Sequence, residues 1–456
     1  IYNIEGFSPI IWVGKSLIEN YIPTSIDPKD PSKLDIGPVN TTVTTNPVDG
    51  VRLRASLQTT ANLNPHMFWR GYLAYGFRDQ RWKGLGEVTY SFRRKAYLPM
   101  EFPVSNLTFT YSYDVSVPSD QYLTTDKDNV FMAFKWADVK HMTYDRSFKL
   151  VYDQEWDYGL QWRAQLRHDM TEPTYKLFYQ PVVNGIHYDA QGNYNPRPFG
   201  PGDGTSFSAR NRRYLRTTDF SVLLQYQPGV AYINTKQRRI LVNKEAPIYR
   251  ISHMAGLRGV WSDYTYNLTE VGVRKRVWLR SWGRMDFDFA AGAQWNRVPF
   301  PLLIMPRANL AYVYDDDMYY LVDNMEFLND RYAQLMFNWS MNGKIFNRIP
   351  LFNRLKWREH VGFNILWGRL TDKNNPYLEK NKTRSDLYYF PGEFNPDGSF
   401  RQQSKVMDPQ VPYVEAAFGI HNIFKLFHID YVRRFTYLDD PRTTRWGIRF
   451  MARVIF

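Results

Sequence analysis

From Val51 to the last residue the chain alternates apolar and polar side chains in stretch after stretch, and this period of two restricts its fold more than any other feature. Successive side chains of a strand point to opposite faces, so each stretch can be read in steps of two. In the closing stretch, Trp446, Ile448, Phe450, Ala452, Val454 and Phe456 share one face, and Gly447, Arg449, Met451, Arg453 and Ile455 the other. A soluble sandwich strand would bury the apolar face and solvate the arginines. Two features favour the opposite arrangement: the chain stops on an aromatic residue, and the strand before it also ends in aromatics. In a transmembrane barrel the apolar face meets lipid, the polar face meets the lumen, and aromatics mark the interfaces. On that reading Trp446, Ile448, Phe450, Val454 and Phe456 form the lipid face of a strand that closes the barrel against the first one.

The bulk properties agree. With 456 residues the chain suffices for one large barrel or two to three soluble domains. Mean hydropathy is −0.50, and no apolar run reaches the about 18 residues that a transmembrane helix needs. A helical inner-membrane protein is thereby excluded, but a barrel hides its apolar half from such an average. The 17 % aromatic content suits two interfacial girdles. Cysteine is absent, which fits an oxidising envelope compartment. The net charge of +13 would ordinarily suggest nucleic acid. Here the Lys and Arg are scattered over alternating strands, where lumen lining and anionic lipid head groups account for them, and no nucleic-acid partner is expected. The sequence begins at Ile1 without methionine or signal peptide, so a processed N-terminus and a preceding domain are expected.

Residues 1–50 do not alternate. The apolar spacing of Ile10, Ile11, Val13, Leu17, Ile18 and Tyr21 is close to helical and predicts a short amphipathic helix or a plug ahead of a barrel at 51–456. Strand candidates follow at 51–58, 69–77, 87–93, 105–115, 130–137, 143–154, 159–169, 174–183, 214–228, 248–261, 265–278, 281–296, 331–343, 354–370, 411–422, 425–438 and the terminus. Bacterial single-chain barrels have even strand numbers, and 130–137 and 174–183 are short and poorly patterned, so about 16 strands are expected, within 14–18. The fold class is all-β, a transmembrane antiparallel barrel. Long connections at 184–213, 297–330 and 371–410 fall on one side and short turns on the other, which places the long loops outside the cell. The exception is 229–247, basic through Lys236, Arg238, Arg239 and Lys244 yet on the short-turn side; it could reach a periplasmic partner or contain a further strand pair.

Among polar constellations, a turn near Ser281 would set Arg276 against Asp286 and Arg274 against Asp288 as lumen ion pairs. Lys356, Arg358 and His360, with Arg449 and Arg453 of the terminal strand, are expected to line the lumen, whereas Glu359 falls on the lipid side, where a charge is costly. Asp315, Asp316 and Asp317 lie in a long loop; carboxylate clusters can hold calcium, but the spacing matches no calcium loop and solvation is the simpler account. No cofactor is expected. No Gly-x-Ser-x-Gly elbow, His-Glu-x-x-His or phosphate-binding glycine loop is present. His428 and Asp430 share a strand face but have no nameable serine partner, so no enzyme is expected.

The phrases Gly71–Lys83, Pro412–Phe424 and Ile429–Tyr437 resemble Bacteroidota outer-membrane barrels, a group mostly of unknown function whose members usually carry a carboxypeptidase-regulatory-like domain ahead of the barrel. The resemblance runs from about Val13 to Phe456. The tail and Thr218–Val222 also resemble the surface-antigen barrels of the Omp85 type, which insert or translocate other barrels and have sixteen strands. Their Val-Arg-Gly-Phe/Tyr signature has only Trp69-Arg70-Gly71-Tyr72 as a near match, in an early strand, and no POTRA-like region is visible. Together these imply an integral protein of the bacterial outer membrane, in contact with lipid and lipopolysaccharide. It would act as a docking or accessory subunit with other envelope proteins, such as an assembly barrel and surface lipoproteins, in outer-membrane protein assembly or lipoprotein export. The alternative is a channel or transporter with a charged lumen. The two differ in whether residues 1–50 or the loops fill the lumen.

Overall fold

The computed structural model describes residues 20–25, 31–120, 141–175, 177, 179, 181–182, 214–237, 239–309, 317–394 and 400–452. It opens with three short strands, β1 (Ile22–Pro23), β2 (Leu34–Ile36) and β3 (Val43–Asn46). Longer strands follow: β4 (Gly50–Thr59), β5 (Met67–Gly76), β6 (Trp82–Ser91), β7 (Ser105–Ser116), β8 (His141–Glu155), β9 (Leu160–Tyr175) and β10 (Leu215–Tyr226). A small hairpin, β11 (Tyr232–Asn234) and β12 (Arg239–Leu241), leads to β13 (Ile248–Gly256), β14 (Tyr266–Trp278), β15 (Arg284–Gln294), β16 (Arg331–Ser340) and β17 (Arg358–Arg369). A second small hairpin, β18 (Gly392–Phe394) and β19 (Phe400–Gln402), precedes β20 (Tyr413–Ile423), β21 (Phe427–Arg434) and β22 (Trp446–Ala452).

Eighteen of these strands form one antiparallel sheet, with each long strand paired to the next along the chain. Both β2 and β3 pair with the free edge of β4, through Leu34↔Thr59 and Val43↔Leu53, and so act as one interrupted first row. That row beside the fifteen long strands gives sixteen rows, with the two residues of β1 added to β2. Sheet pairing thus begins ahead of Val51, inside the segment expected to precede the barrel. Among the described residues the weak candidate 174–183 forms no strand of its own: its first two residues end β9 at Tyr175, and the isolated bridge Pro181↔Tyr388 follows. The other weak candidate, 130–137, and the helical pattern before Asn20 lie outside the described residues. Among the described residues, β22 pairs with β21 alone.

The sheet is inverted relative to a soluble one. Along β21 the burial alternates without a break: Phe427, Ile429, Tyr431 and Arg433 are exposed, and His428, Asp430, Val432 and Arg434 are buried. Across the sheet, Val51, Leu53 and Leu57 of β4 and Trp446, Ile448 and Phe450 of β22 are exposed, while Arg52 and Arg449 are buried. Exposed aromatics gather at both ends of the strands. Tyr226, Trp278, Trp282 and Phe427 lie at the end with the short turns, and Trp82, Trp261, Trp295 and Trp446 at the end with the long connections.

What the polar face covers is protein. The connection between β15 and β16 turns inward, burying Leu303, Ile304, Met305, Tyr319, Tyr320, Leu321, Val322, Phe327 and Leu328. One hydrophobic cluster joins Tyr319, Val322 and Phe327 of this segment to Val115 of β7, Tyr144 of β8, Met336 of β16, Leu366 of β17 and Tyr413 of β20. A second packs Val298, Phe300, Leu303 and Leu328 against Leu215 of β10 and Tyr266 of β14. Contacts to strands so far apart in the meander show that the sheet is wound around this segment.

Candidate functional site

The inserted segment 297–330 is held by charge as well as by packing. Glu415, a lumen-facing residue of β20, accepts hydrogen bonds from the backbone N–H groups of Tyr320 (2.8 Å) and Leu321 (3.0 Å). Arg449 of β22 donates through Nη2 to the Tyr320 carbonyl at 2.6 Å. Arg434, at the end of β21, is fully buried and grips Glu326 of the segment through two bonds, of 3.1 and 2.7 Å. Its guanidinium also donates to the Thr436 carbonyl at 3.0 Å and lies 4.8 Å from the centre of the Tyr413 ring. At the far side, Ser119 and the carbonyl of His141 bind Asn324, at 2.9 and 2.7 Å. A buried charge is tolerable only when paired or fully hydrogen-bonded; here the Glu326 side chain pairs Arg434, and the inserted backbone hydrogen-bonds Glu415 and Arg449.

The register places Arg276 opposite Asp286 and Arg274 opposite Asp288, across the turn Arg280–Trp282. Arg276 binds Asp286 through Nε (2.5 Å) and Nη2 (3.0 Å). Arg274 binds Asp288 through Nε at 2.8 Å and reaches Asp317 of the inserted segment through Nη2 at 2.6 Å. Asp317 is thus an interior ion-pair partner and not part of a solvated acidic loop; Asp315 and Asp316 lie outside the described residues. Of the expected basic lining, Arg449 and His360 are buried inside. Lys356 is not in the lining: β17 starts two residues later, and Lys356 ends a short helix, α1 (Pro350–Leu355), in the left-handed conformation with φ 58°. Arg358 is half-buried and donates to the Asn342 carbonyl at 2.9 Å. Arg453, Val454 and Phe456 lie outside the described residues. Glu359 is on the outward face, as its parity requires, yet it is buried. The connection before it folds over the carboxylate, which accepts the N–H groups of Ile345 (2.7 Å) and Phe346.

The basic element 229–247 does contain a strand pair, β11–β12, and the hairpin folds across the short-turn end. Gln237 donates to Asp35 at 2.6 Å and accepts from Gln58 at 2.9 Å. Asn234 exchanges two bonds of 3.0 Å with the backbone of Phe102. Arg239 is turned inward to Glu155 at 2.7 Å and so is not presented to a partner. Burial pulls its pKa down, but the Glu155 bond outweighs that and leaves it raised. Lys236 stands 5.4 Å over the Tyr97 ring and, like Lys244, is exposed, while Arg238 lies outside the described residues. In the neighbouring connection the Lys95 ammonium donates to the carbonyls of Glu101 (2.6 Å) and Pro103 (3.0 Å), and burial pulls its pKa down to about 8.

Between hairpin and inserted segment the interior keeps open space. A cavity of about 420 Å³ is lined by Arg163, Arg239, Arg250, Arg274 and Arg307 with Glu270, Asp288 and Asp317. Two others, of about 250 and 330 Å³, share Arg163 with it. The sequence reading missed the clamp formed by Glu415, Arg434 and Arg449. Glu415 and Arg434 are direct cross-strand partners, but counting back from the turn at 424–426 would set Glu415 opposite Phe435; the register shift between Ile420 and Ile423, which the sequence does not announce, brings Arg434 there instead.

An antiparallel sheet wound about a packed loop, apolar outward and charged inward, defines a plugged barrel architecture. The chain belongs to the family of unknown function DUF5686, matching its C-terminal domain over residues 23–381. No curated protein matches it. Among solved structures it is similar to BamA from Haemophilus ducreyi lacking POTRA domains 1–3, at 10 % identity and a TM-score of 0.48, over 90 % of this chain and 68 % of that one. It is also similar to CdiB from Acinetobacter baumannii, at 10 % identity and a TM-score of 0.42, over 90 % of this chain and 57 % of the other. CdiB from Escherichia coli gives 9 % identity and a TM-score of 0.43, over 89 % and 60 %.

Proposed function

We propose that the protein is an integral barrel of the bacterial outer membrane, non-enzymatic, serving as a docking or accessory subunit of an envelope complex. The apolar outer face bounded by aromatics at both strand ends supports the membrane setting. The resemblance of its strand phrases supports a Bacteroidota origin and a carboxypeptidase-regulatory-like domain ahead of the barrel. Within the envelope, outer-membrane protein assembly or lipoprotein export is the setting we favour, with lipopolysaccharide, an assembly barrel and surface lipoproteins as partners.

The observation that carries the docking reading is the filled lumen. The buried segment 297–330 is bolted to β20, β21 and β22 by Glu415, Arg434 and Arg449, an arrangement suited to a rigid platform and poorly suited to steady conduction. The arginine-lined cavity of about 420 Å³ favours, as a second reading, an anion pathway opened by displacement of the segment. Gentle detergent extraction of the tagged protein followed by mass spectrometry separates the two. Stoichiometric recovery of other envelope proteins is expected. A protein recovered alone that conducts ions in a planar bilayer would replace docking with transport.

A further inference from the structure

Three neighbouring strands bring two imidazoles and one carboxylate together on the inner face of the sheet. His360 of β17, Gly419 of β20 and Asp430 of β21 occupy one row of the register. Gly419 makes the meeting possible, since a Cβ there would lie 1.8 Å from Oδ1 of Asp430. The carboxylate therefore lies across the β20 backbone and reaches His360, whose Nδ1 is 2.7 Å away. His421, two residues beyond Gly419 and so on the same face, directs Nε2 at both carboxylate oxygens, at 3.2 Å each. The rings of His360 and His421 stack with centroids 4.1 Å apart, and His428 of β21 packs edge-on against His421 at 4.4 Å. All three ligating residues are buried, and their candidate donor atoms lie within 4.8 Å of one another.

We propose that His360, His421 and Asp430 form a binding site for a single divalent cation of the zinc class. Two imidazole nitrogens with one carboxylate oxygen form a donor set that suits Zn²⁺ and its neighbours, whereas Ca²⁺ and Mg²⁺ take oxygen ligands. Zinc–ligand bonds of about 2.0–2.2 Å in a tetrahedron put donors a little over 3 Å apart; the donor atoms are already near that spacing, and one imidazole must turn out of the His360–His421 stack for both ring nitrogens to face the ion. Entry of the cation replaces the imidazole–carboxylate hydrogen bonds with three coordinate bonds, the proton on each ligating ring nitrogen passing to the other nitrogen of the same ring or to solvent. It also neutralises a carboxylate that the fold has placed out of water. Three protein ligands leave a fourth position for water or another donor. Asp430 is opposite Arg449 in the register, and Arg449 holds the inserted segment at Tyr320, so the site adjoins the clamp. The inference does not depend on the docking role.

The test uses the full chain in detergent, stripped with a chelator and titrated with Co²⁺ as a spectroscopic stand-in, followed by Zn²⁺ in competition. We expect one equivalent of Co²⁺ with tetrahedral ligand-field bands, displaced by Zn²⁺. His421→Gln and Asp430→Asn should each weaken binding by more than about 100-fold, beyond the 10–100-fold lost with an outer-shell partner. His253→Gln, outside the cluster, should leave it unchanged. Heat-modifiable gel migration identifies the variants that fold. If Asp430→Asn does not fold, His421→Gln and the double variant His360→Gln/His421→Gln carry the test. Wild-type protein that binds Co²⁺ no more tightly than a folded double variant would overturn the proposal, as would octahedral bands or full binding by that variant.

Discussion

Glu326→Gln is the most direct challenge to the plug. The pair it breaks is buried on both sides, with 0 % of the Arg434 side chain and 5 % of the Glu326 side chain exposed. The substitution keeps the shape but replaces one acceptor oxygen by an NH₂ group that meets the guanidinium donor to donor. It leaves the Arg434 charge uncompensated in the interior, and breaking a buried pair in this way costs about 3–5 kcal/mol. At about 1.36 kcal/mol per factor of ten, the population in which the segment is released rises by roughly two to four orders of magnitude. Hydrogen exchange read by mass spectrometry on peptides covering 318–330 reports that population directly. Exchange of β20 and β21 provides the internal reference. The double variant Glu326→Met/Arg434→Met removes both charges and should recover most of the protection, because an apolar pair of similar volume is nearly neutral in such sites. Recovery stays short of complete, since the Thr436 and Tyr437 carbonyls lose their donor. If Glu326→Gln exchanges at the wild-type rate while the fold is intact, the pair does not hold the segment and the reasoning fails.

Gly419→Ala drives a Cβ into Asp430 and should destabilise the protein by about 1–3 kcal/mol in urea titration, as overpacking does; a change below about 0.5 kcal/mol would show that the carboxylate has room to move. Arg239→Ala should loosen the β11–β12 hairpin by about 1–3 kcal/mol, leaving a buried Glu155 without its guanidinium partner, and speed limited proteolysis within 229–247; unchanged cleavage would show that this pair does not hold the hairpin. For Lys95, the folded pKa of about 8 lies below the ordinary 10.5. Below pH 8 both folded and unfolded chains carry the proton and the burial penalty is fully present; between 8 and 10.5 only the unfolded chain holds it, so stability rises with pH in that window. The urea midpoint of the wild type should therefore gain on that of Lys95→Met from pH 8 upward, and parallel curves would contradict the assignment.

Strand positions were legible because a wall with one side in an apolar phase must keep its period of two without interruption, and fifteen candidates with clear patterning correspond to the fifteen long strands. The pairing of Arg274 and Arg276 with Asp288 and Asp286 followed from one turn and simple counting. The inserted segment was not legible. Residues 297–330 show no period of two, because an irregular chain buried among lumen side chains is fixed by whatever contacts surround it. A buried irregular backbone also needs partners from outside itself, and those partners, Glu415, Arg434 and Arg449, read as ordinary lumen charges until the third dimension joins them. Glu359 illustrates the converse: its parity was right, and the burial came from a connection whose course the sequence does not announce.

Among the described residues, two elements occupy the interior and its short-turn end, and they are held in different ways. At the long-connection end the segment 297–330 is fastened by apolar clusters and by buried charge, an arrangement that opens only as a unit. At the short-turn end the β11–β12 hairpin is tied to Asp35, Gln58, Phe102 and Glu155 by individual polar contacts, several of them partly open to water. Arg239 belongs to both the hairpin and the lining of the main cavity, so the chamber ends where the hairpin begins. A conducting state would have to displace the packed segment, whereas a docking platform needs it in place. The polar hairpin, fastened by contacts that a competing partner could replace one at a time, is the element through which an envelope partner would most readily act.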